Sequence, residues 1–96
     1  GGASALEIGR RLSRLARNAQ VIVVTHLAQV AAFADNHLTI VKDTSGEFTE
    51  STITTLDDNG RISEIARLLS GTPDSDTARA HAQELLDAAR DFRDAL

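Results

Sequence analysis

The sequence predicts an α/β fold in which short parallel and antiparallel strands are flanked by helices. The main indication is the run at residues 21–24, four consecutive β-branched residues typical of a parallel strand buried on both faces. A helical pattern over residues 27–34 follows at once, and residues 37–42 read as the next strand. Because short joints link these three elements, we expect a right-handed parallel crossover.

Composition narrows the class of protein. The hydrophobic content of 42 % with only three Phe predicts an aliphatic core, and the absence of Cys excludes disulfides and Cys-based metal sites. The net charge of −4 argues against non-specific nucleic-acid binding by the chain as a whole. No apolar run reaches membrane-spanning length, so we expect a soluble protein. The Gly1-Gly2 start and the lack of Met suggest a piece of a longer protein.

The first helix is predicted to begin at a capping box over residues 4–7, with Ser4 as N-cap and Glu7 three residues on. Its apolar face is predicted to contain Ala5, Ile8, Leu12, Leu15 and Ala16. A basic stripe lies on another face, formed by Arg10, Arg11, Arg14 and Arg17. This stripe indicates either a contact with phosphate or an acidic partner, or an ordinary solvated helix face.

The middle of the chain predicts a hairpin. A Gly-containing turn at residues 43–47 joins the strand at 37–42 to a Thr-rich return strand at 48–56. Phe48 and Leu56 have the same parity while Ile53 has the other, which predicts a bulge or an exposed edge strand. So few elements cannot cover a parallel strand on both faces. Either the chain dimerises or the strands that flank residues 21–24 lie elsewhere.

Two capped helices are predicted at the C-terminal end. Residues 57–60 break the return strand and cap the first of these helices, and Gly71 followed by Pro73 ends it. Its predicted stripe is Ile62, Ile65, Ala66 and Leu69. The last helix is predicted to start near residues 74–76, with its end beyond Asp91 frayed. It presents Ala78, Ala82, Leu85, Ala89 and Phe92 on one face.

Thr25 and His26 are the candidate site residues that position alone suggests. They follow the run at residues 21–24, and the carboxyl end of a buried strand is where α/β sheets bind ligands. The alternative is that His26 only ends the strand and hydrogen-bonds a loop. His37 and His81 fall on other elements and are expected to be structural or exposed, so a three-His metal site has no support. No glycine-rich phosphate loop or serine elbow is present.

A resemblance to a known family becomes specific over residues 21–35. This segment resembles the switch-histidine region of ATP-binding cassette and SMC (structural maintenance of chromosomes) ATPase heads, and within that superfamily it is most similar to the RecN family of bacterial DNA repair proteins. Residues 1–12 resemble the end of that family's D-loop and the following helix. Residues 61–71, 74–78 and 80–82 resemble its C-terminal tail. Ala28 and Ala3 depart from the pattern, where Pro and a basic residue are common.

The resemblance implies that the chain is the C-terminal portion of a P-loop ATPase head. His26 would then be the catalytic switch histidine, near the γ-phosphate and the attacking water, and Thr25 would contact the nucleotide site with it. Gly1 and Gly2 would lie in the D-loop at the interface between two heads. No residue of this chain is implied as a metal ligand.

The resemblance also implies partners and cofactors. The intact parent would use ATP and Mg²⁺, pair with a second head as a homodimer and act on DNA in the cytoplasm, associated with the nucleoid and with no membrane. The N-terminal part of the head, with the Walker and signature motifs, is absent from this sequence, so the chain alone is expected neither to bind ATP tightly nor to hydrolyse it. Two alternatives are a transporter nucleotide-binding domain and a non-enzymatic α/β interaction domain.

Overall fold

The computed structural model describes all 96 residues as four α-helices and one two-stranded antiparallel sheet. The elements in chain order are α1 (Gly2–Leu15), α2 (Ala28–Ala31), β1 (Leu38–Asp43), β2 (Glu50–Thr55), α3 (Asp58–Ser70) and α4 (Asp76–Asp94). This mixture of helices and strands agrees with the α/β class at a coarse level. None of the four helices combines the length and apolar character that a membrane crossing requires.

The ends of α3 and α4 are set by short-range hydrogen bonds. At the start of α3, the Asp57 carboxylate accepts a hydrogen bond from the Gly60 backbone N–H at 2.7 Å. Gly71 ends α3 with a φ of 74°, a left-handed conformation that glycine adopts at little cost. Ser75 caps α4 by accepting from the Ala78 N–H. The predicted cap at residues 57–60, the Gly71 end of α3 and the predicted start of α4 are confirmed, whereas the predicted fraying is wrong because α4 continues to Asp94.

The main core lies where α2 meets α3 and α4. Its centre is Ile65, which is completely buried, and the buried residues around it are Ala28, Ala31, Ala66, Ala78 and Ala82. Because these neighbours are small, the helices approach one another closely. Arg79 of α4 adds polar links to α3, since its guanidinium donates to Ser63 Oγ and to Asn59 Oδ1, both at 2.7 Å.

A second, smaller hydrophobic cluster joins α1 to the other helices. Phe33 is buried with Ala32 and Ala89, and its ring forms a T-shaped pair with that of Phe92 at a centroid distance of 5.8 Å. α1 packs against Phe33 through Gly9, where an added Cβ would lie 2.3 Å from the Phe33 ring. Only a residue without a side chain permits this approach.

The packing of α1 corrects the apolar face predicted for it. The buried positions are Ala5, Gly9 and Ser13, while Ile8 and Leu15 remain exposed. The periodicity of apolar residues missed this face because a glycine and a serine occupy two of its three buried positions. Of the predicted apolar face, Ala5 is buried and Leu12 and Ala16 are half-buried.

The predicted capping box at residues 4–7 is also wrong. α1 begins at Gly2, and the Ala5 N–H donates to the Gly1 carbonyl at 3.2 Å, so Ser4 lies inside the helix. Glu7 does not reach back to cap the helix; its carboxylate pairs with Arg11 at 3.2 Å. Arg10 and Arg14 also lie near the Glu7 carboxylate, at 3.7 and 3.9 Å.

Residues 21–25 do not form the buried parallel strand that was predicted. The only ladder in the chain joins β1 to β2, and residues 21–25 are extended without a strand partner. Val24 is 100 % exposed and Ile22 85 % exposed. The predicted crossover is therefore wrong for this chain, since no neighbouring strand is present to accept these hydrogen bonds. α2 is also shorter than the helix predicted over 27–34.

The hairpin is confirmed, with a regular register. β1 and β2 pair from Leu38 opposite Thr55 to Asp43 opposite Glu50, with no extra residue, so the predicted bulge is wrong. The exposed edge strand is confirmed, because every residue of β2 is exposed. At the turn, the Asp43 carboxylate accepts from the Ser45 N–H at 2.9 Å.

Candidate functional site

Thr25 shapes the turn that carries His26. Its hydroxyl oxygen accepts a hydrogen bond from the Leu27 backbone N–H at 3.0 Å, and Leu27 is the extended N-cap of α2. This local bond redirects the chain from the extended segment into the helix, as Ser and Thr side chains do in turns. Thr25 is half-buried, whereas His26 is exposed at the apex.

The imidazole of His26 is available to a ligand. It is exposed, and none of the side-chain hydrogen bonds of the chain involves it. The alternative in which His26 hydrogen-bonds a loop therefore finds no contact in support. Both ring nitrogens can meet a group that arrives from outside the chain.

The opposite end of α2 is held by two arginines, Arg61 from α3 and Arg93 from α4, which we call the arginine pair. Arg61 Nη2 donates to the carbonyl oxygens of Ala31 and Ala32 at 3.3 and 3.2 Å and also to that of Ala34. Arg93 Nη1 donates to the Ala32 carbonyl at 3.2 Å. Cations suit this position because the carbonyls at a helix C-terminus carry partial negative charge.

Burial shapes the electrostatics of the arginine pair. Desolvation lowers the pKa of Arg61, the nearby charge of Arg93 lowers it further, and Asp35 and Asp58 oppose the change. Arg61 Nε is buried without a partner. The positive charge of Arg93 is balanced by Asp35, whose carboxylate lies 3.5 Å from Arg93 Nε. A guanidinium stays protonated at neutral pH in such surroundings, so the positive charge persists at the end of α2.

The structure places Gly2 beside the segment that follows His26. A Cβ on Gly2 would lie 3.9 Å from Nε2 of Gln29, in the first turn of α2. Gly1 is the exposed N-cap of α1, with nothing within 4 Å of an added Cβ. The starts of α1 and α2 therefore lie beside one another. The D-loop role of Gly1 and Gly2 stays a prediction.

The four arginines of the basic stripe do not act as one surface. Arg10 and Arg14 lie over the ring of Phe92, at 5.9 and 5.2 Å from its centroid, where cation–π attraction holds them. Arg11 pairs with Glu7 at 3.2 Å. Arg17 is exposed beyond the end of α1 and belongs to none of the ion pairs. Of the stripe, Arg17 is thus the cation with the least intramolecular compensation.

The other histidines lie away from His26. His81 is exposed on α4, and His37 is half-buried just before β1. Burial lowers the pKa of His37, with Arg61 adding to the effect and Glu64 opposing it. No group of three or more His, Asp or Glu side chains is arranged to hold a metal ion.

Sequence reasoning missed Gln29 and the arginine pair. Arg61 comes directly before the apolar stripe that contains Ile62 and Ile65, a position in which the aliphatic stem of an arginine can lie along apolar surface. Arg93 follows Phe92 in the same way. Neither position indicates which carbonyls the arginines contact, because those carbonyls lie about thirty residues from Arg61 and about sixty from Arg93 in the sequence.

Comparison with known proteins gives a consistent set of relatives. The chain is 58 % identical over 90 residues to the DNA repair protein RecN of Streptomyces coelicolor. It is 56 % identical over 90 residues to RecN of Mycobacterium leprae, and 48 % identical over 86 residues to RecN of Deinococcus radiodurans. These alignments cover 94, 94 and 90 % of this chain. No family model matches it.

The matched region is a small part of each relative. The alignment spans 16 % of the Streptomyces protein and 15 % of the Mycobacterium leprae and Deinococcus proteins. The chain therefore corresponds to a segment of these proteins and not to their whole length.

Proposed function

The chain is homologous to the DNA repair protein RecN over nearly all of its length, and we propose that it forms the C-terminal portion of an ATP-hydrolysing, SMC-like head that acts in DNA double-strand-break repair and recombination. The observation that carries the proposal is His26, an exposed imidazole at the apex of a turn. The helix that follows, α2, is held at its C-terminal end by the arginine pair. The similarity to RecN covers this turn and extends into both C-terminal helices.

His26 would act by stabilising charge on the phosphoryl group. Hydrolysis of ATP places negative charge on phosphoryl oxygens, and an imidazole N–H can donate a hydrogen bond to them. The gain in transition-state stabilisation depends on a donor that is already in position, because a mobile donor loses entropy when it is ordered. Thr25 would support this by fixing the turn through its bond to the Leu27 N–H.

α2 provides the rigid support that such a donor needs. Ala28, Val30 and Ala31 are buried, and the arginine pair holds the helix at its far end. His26 therefore projects from a fixed base although its own side chain is free. Gly1 and Gly2, beside the start of α2, would form part of the D-loop that faces a second head.

The chain alone would be inactive. Its sequence has no phosphate-binding loop, and its own carboxylates form no cluster for Mg²⁺, so nucleotide and metal would be held mainly by the N-terminal part of the head. That part would also supply strands to pair with residues 21–24, of which 22–24 are exposed. The intact protein would dimerise through its heads, act on DNA and reside in the bacterial cytoplasm, associated with the nucleoid.

The test is ATP binding and turnover by the full-length protein that contains this sequence, with His26→Ala. Loss of a transition-state donor lowers kcat by about 10²-fold or more, whereas ATP affinity changes little. His81→Ala is the matched control, since it removes an exposed histidine from α4 and should leave both quantities unchanged. Wild-type kcat in His26→Ala would show that His26 has no catalytic role.

A further inference from the structure

A pocket of about 180 Å³ lies beside the end of α1, close to the C-terminal part of α4. Its polar lining comes from three separate parts of the chain: Ser13 and Arg17 at the end of α1, Asp35 after α2, and Arg93 on α4. The pocket is distinct from the turn that carries His26. It is large enough for several water molecules at about 30 Å³ each, and hence for a tetrahedral oxyanion.

The side chains that line this pocket carry a net positive charge. Arg17 and Arg93 contribute two cations, and Asp35 is the only anionic side chain in the lining. Asp35 is already engaged by Arg93 Nε at 3.5 Å, while Arg17 belongs to no ion pair. This local excess contrasts with the net charge of −4 on the chain as a whole. An anion is therefore the ligand that the pocket favours.

Ser13 adds an independent indication. The residue is 8 % exposed, and its Oγ is buried without a hydrogen-bond partner. Buried hydroxyls without a partner are uncommon, because each loses its bonds to water without replacement. A ligand oxygen in the pocket that Ser13 lines would satisfy this hydroxyl.

We propose that the pocket formed by Ser13, Arg17 and Arg93 binds a single phosphate group. Guanidinium groups match the geometry of phosphate oxygens with two parallel N–H donors, and a serine hydroxyl donates a third bond. Arg93 keeps one terminal nitrogen free for this role, because the bonds to Ala32 and Asp35 use Nη1 and Nε. The phosphate could belong to a free oxyanion or to a nucleic-acid backbone.

The experiment compares Arg17→Gln with Arg11→Gln in the full-length protein that contains this sequence. Both variants remove one exposed arginine from the same region, but Arg11 pairs with Glu7 outside the pocket. Two probes are used: inorganic phosphate, by isothermal titration calorimetry, and a short labelled DNA duplex, by fluorescence anisotropy at several salt concentrations. Ser13→Ala is measured with both probes and is expected to weaken binding about threefold.

Two results support the site and separate the sources of phosphate. If the ligand is a free oxyanion, Arg17→Gln raises the Kd for phosphate about tenfold and leaves duplex binding at the level of Arg11→Gln. If it is a nucleic-acid backbone, Arg17→Gln weakens duplex binding and reduces the slope of log K against log salt by about one, while Arg11→Gln keeps the wild-type slope. Equal behaviour of Arg17→Gln and Arg11→Gln with both probes overturns the proposal.

Discussion

The helical and the extended regions of this chain bury their isoleucines and valines to very different degrees. In the helical region, formed by α2, α3 and α4, Ile65 is completely buried. In the extended region, formed by residues 21–24 and the β1–β2 hairpin, Ile53 is 67 % exposed and Val24 is 100 % exposed. The residue types are alike, so composition does not account for the contrast.

The difference lies in where each backbone finds its hydrogen bonds. A helix satisfies its backbone within one segment, and a small apolar stripe then suffices to dock it. An extended segment needs a neighbouring strand, and a lone two-stranded hairpin is marginally stable. The stability of this chain should therefore reside in the helical region, and the extended region should respond weakly to loss of apolar groups.

The largest expected effect comes from the same substitution made in the two regions. Ile65→Ala leaves a cavity at the centre of the core and should lower the free energy of unfolding by about 2–5 kcal/mol. Ile53→Ala removes an exposed side chain and should change it by less than about 0.5 kcal/mol. Urea denaturation followed by far-UV circular dichroism measures both. Equal losses would mean that the hairpin is part of the stabilising core.

The same contrast explains which parts of the fold could be predicted from sequence. Asp57 and Gly71 set helix ends through bonds that span three or four residues, so local patterns identified them. The run at 21–24 has the composition of a central strand, yet strand formation depends on partners that no local pattern contains. The contact of Gly9 with Phe33 was missed for a related reason, since a residue without a side chain leaves no trace in hydrophobic periodicity.

The second prediction concerns the arginine pair, which ties the two helices of the core to α2. Arg61→Met keeps most of the apolar stem but removes three guanidinium hydrogen bonds and leaves the Ala34 carbonyl without a donor, which should destabilise α2 by about 1–3 kcal/mol. Arg67→Met is the matched control on the same helix, because Arg67 is exposed and pairs only with Glu64.

Hydrogen exchange of the α2 amides measures the effect of Arg61→Met. We expect these amides to lose protection in Arg61→Met and to keep it in Arg67→Met. Unchanged exchange in both variants would show that packing of Ala28 and Ala31 alone fixes α2. In that case the rigid base assigned to His26 would not depend on the arginine pair.

The candidate site was predictable in the same uneven way as the fold. Thr25 and His26 stand out in sequence because two polar residues interrupt an apolar run, and the bond from Leu27 to Thr25 spans only two residues. The contacts that hold α2 behind this turn were not predictable. It comes from Arg61 and Arg93, which reach α2 from helices that follow much later in the chain.

The smallest expected effect lies at His37, where the two regions meet. His37 precedes β1, its carbonyl accepts from the Leu56 N–H at 2.9 Å, and its ring is half-buried near Arg61 and Glu64 of α3. Burial and then Arg61 lower the pKa of His37 below the usual 6.5. The folded state thus binds fewer protons than the unfolded state just below pH 6.5, so stability falls as the medium is acidified through this window.

Removal of the imidazole should remove this part of the pH dependence. In His37→Gln, the thermal midpoint should fall less between neutral and mildly acidic pH than in the wild type, whereas His81→Gln, at an exposed position on α4, should follow the wild type. Thermal unfolding at a series of pH values measures this difference. If His37→Gln and the wild type lose stability in parallel, the ring does not couple the hairpin to α3.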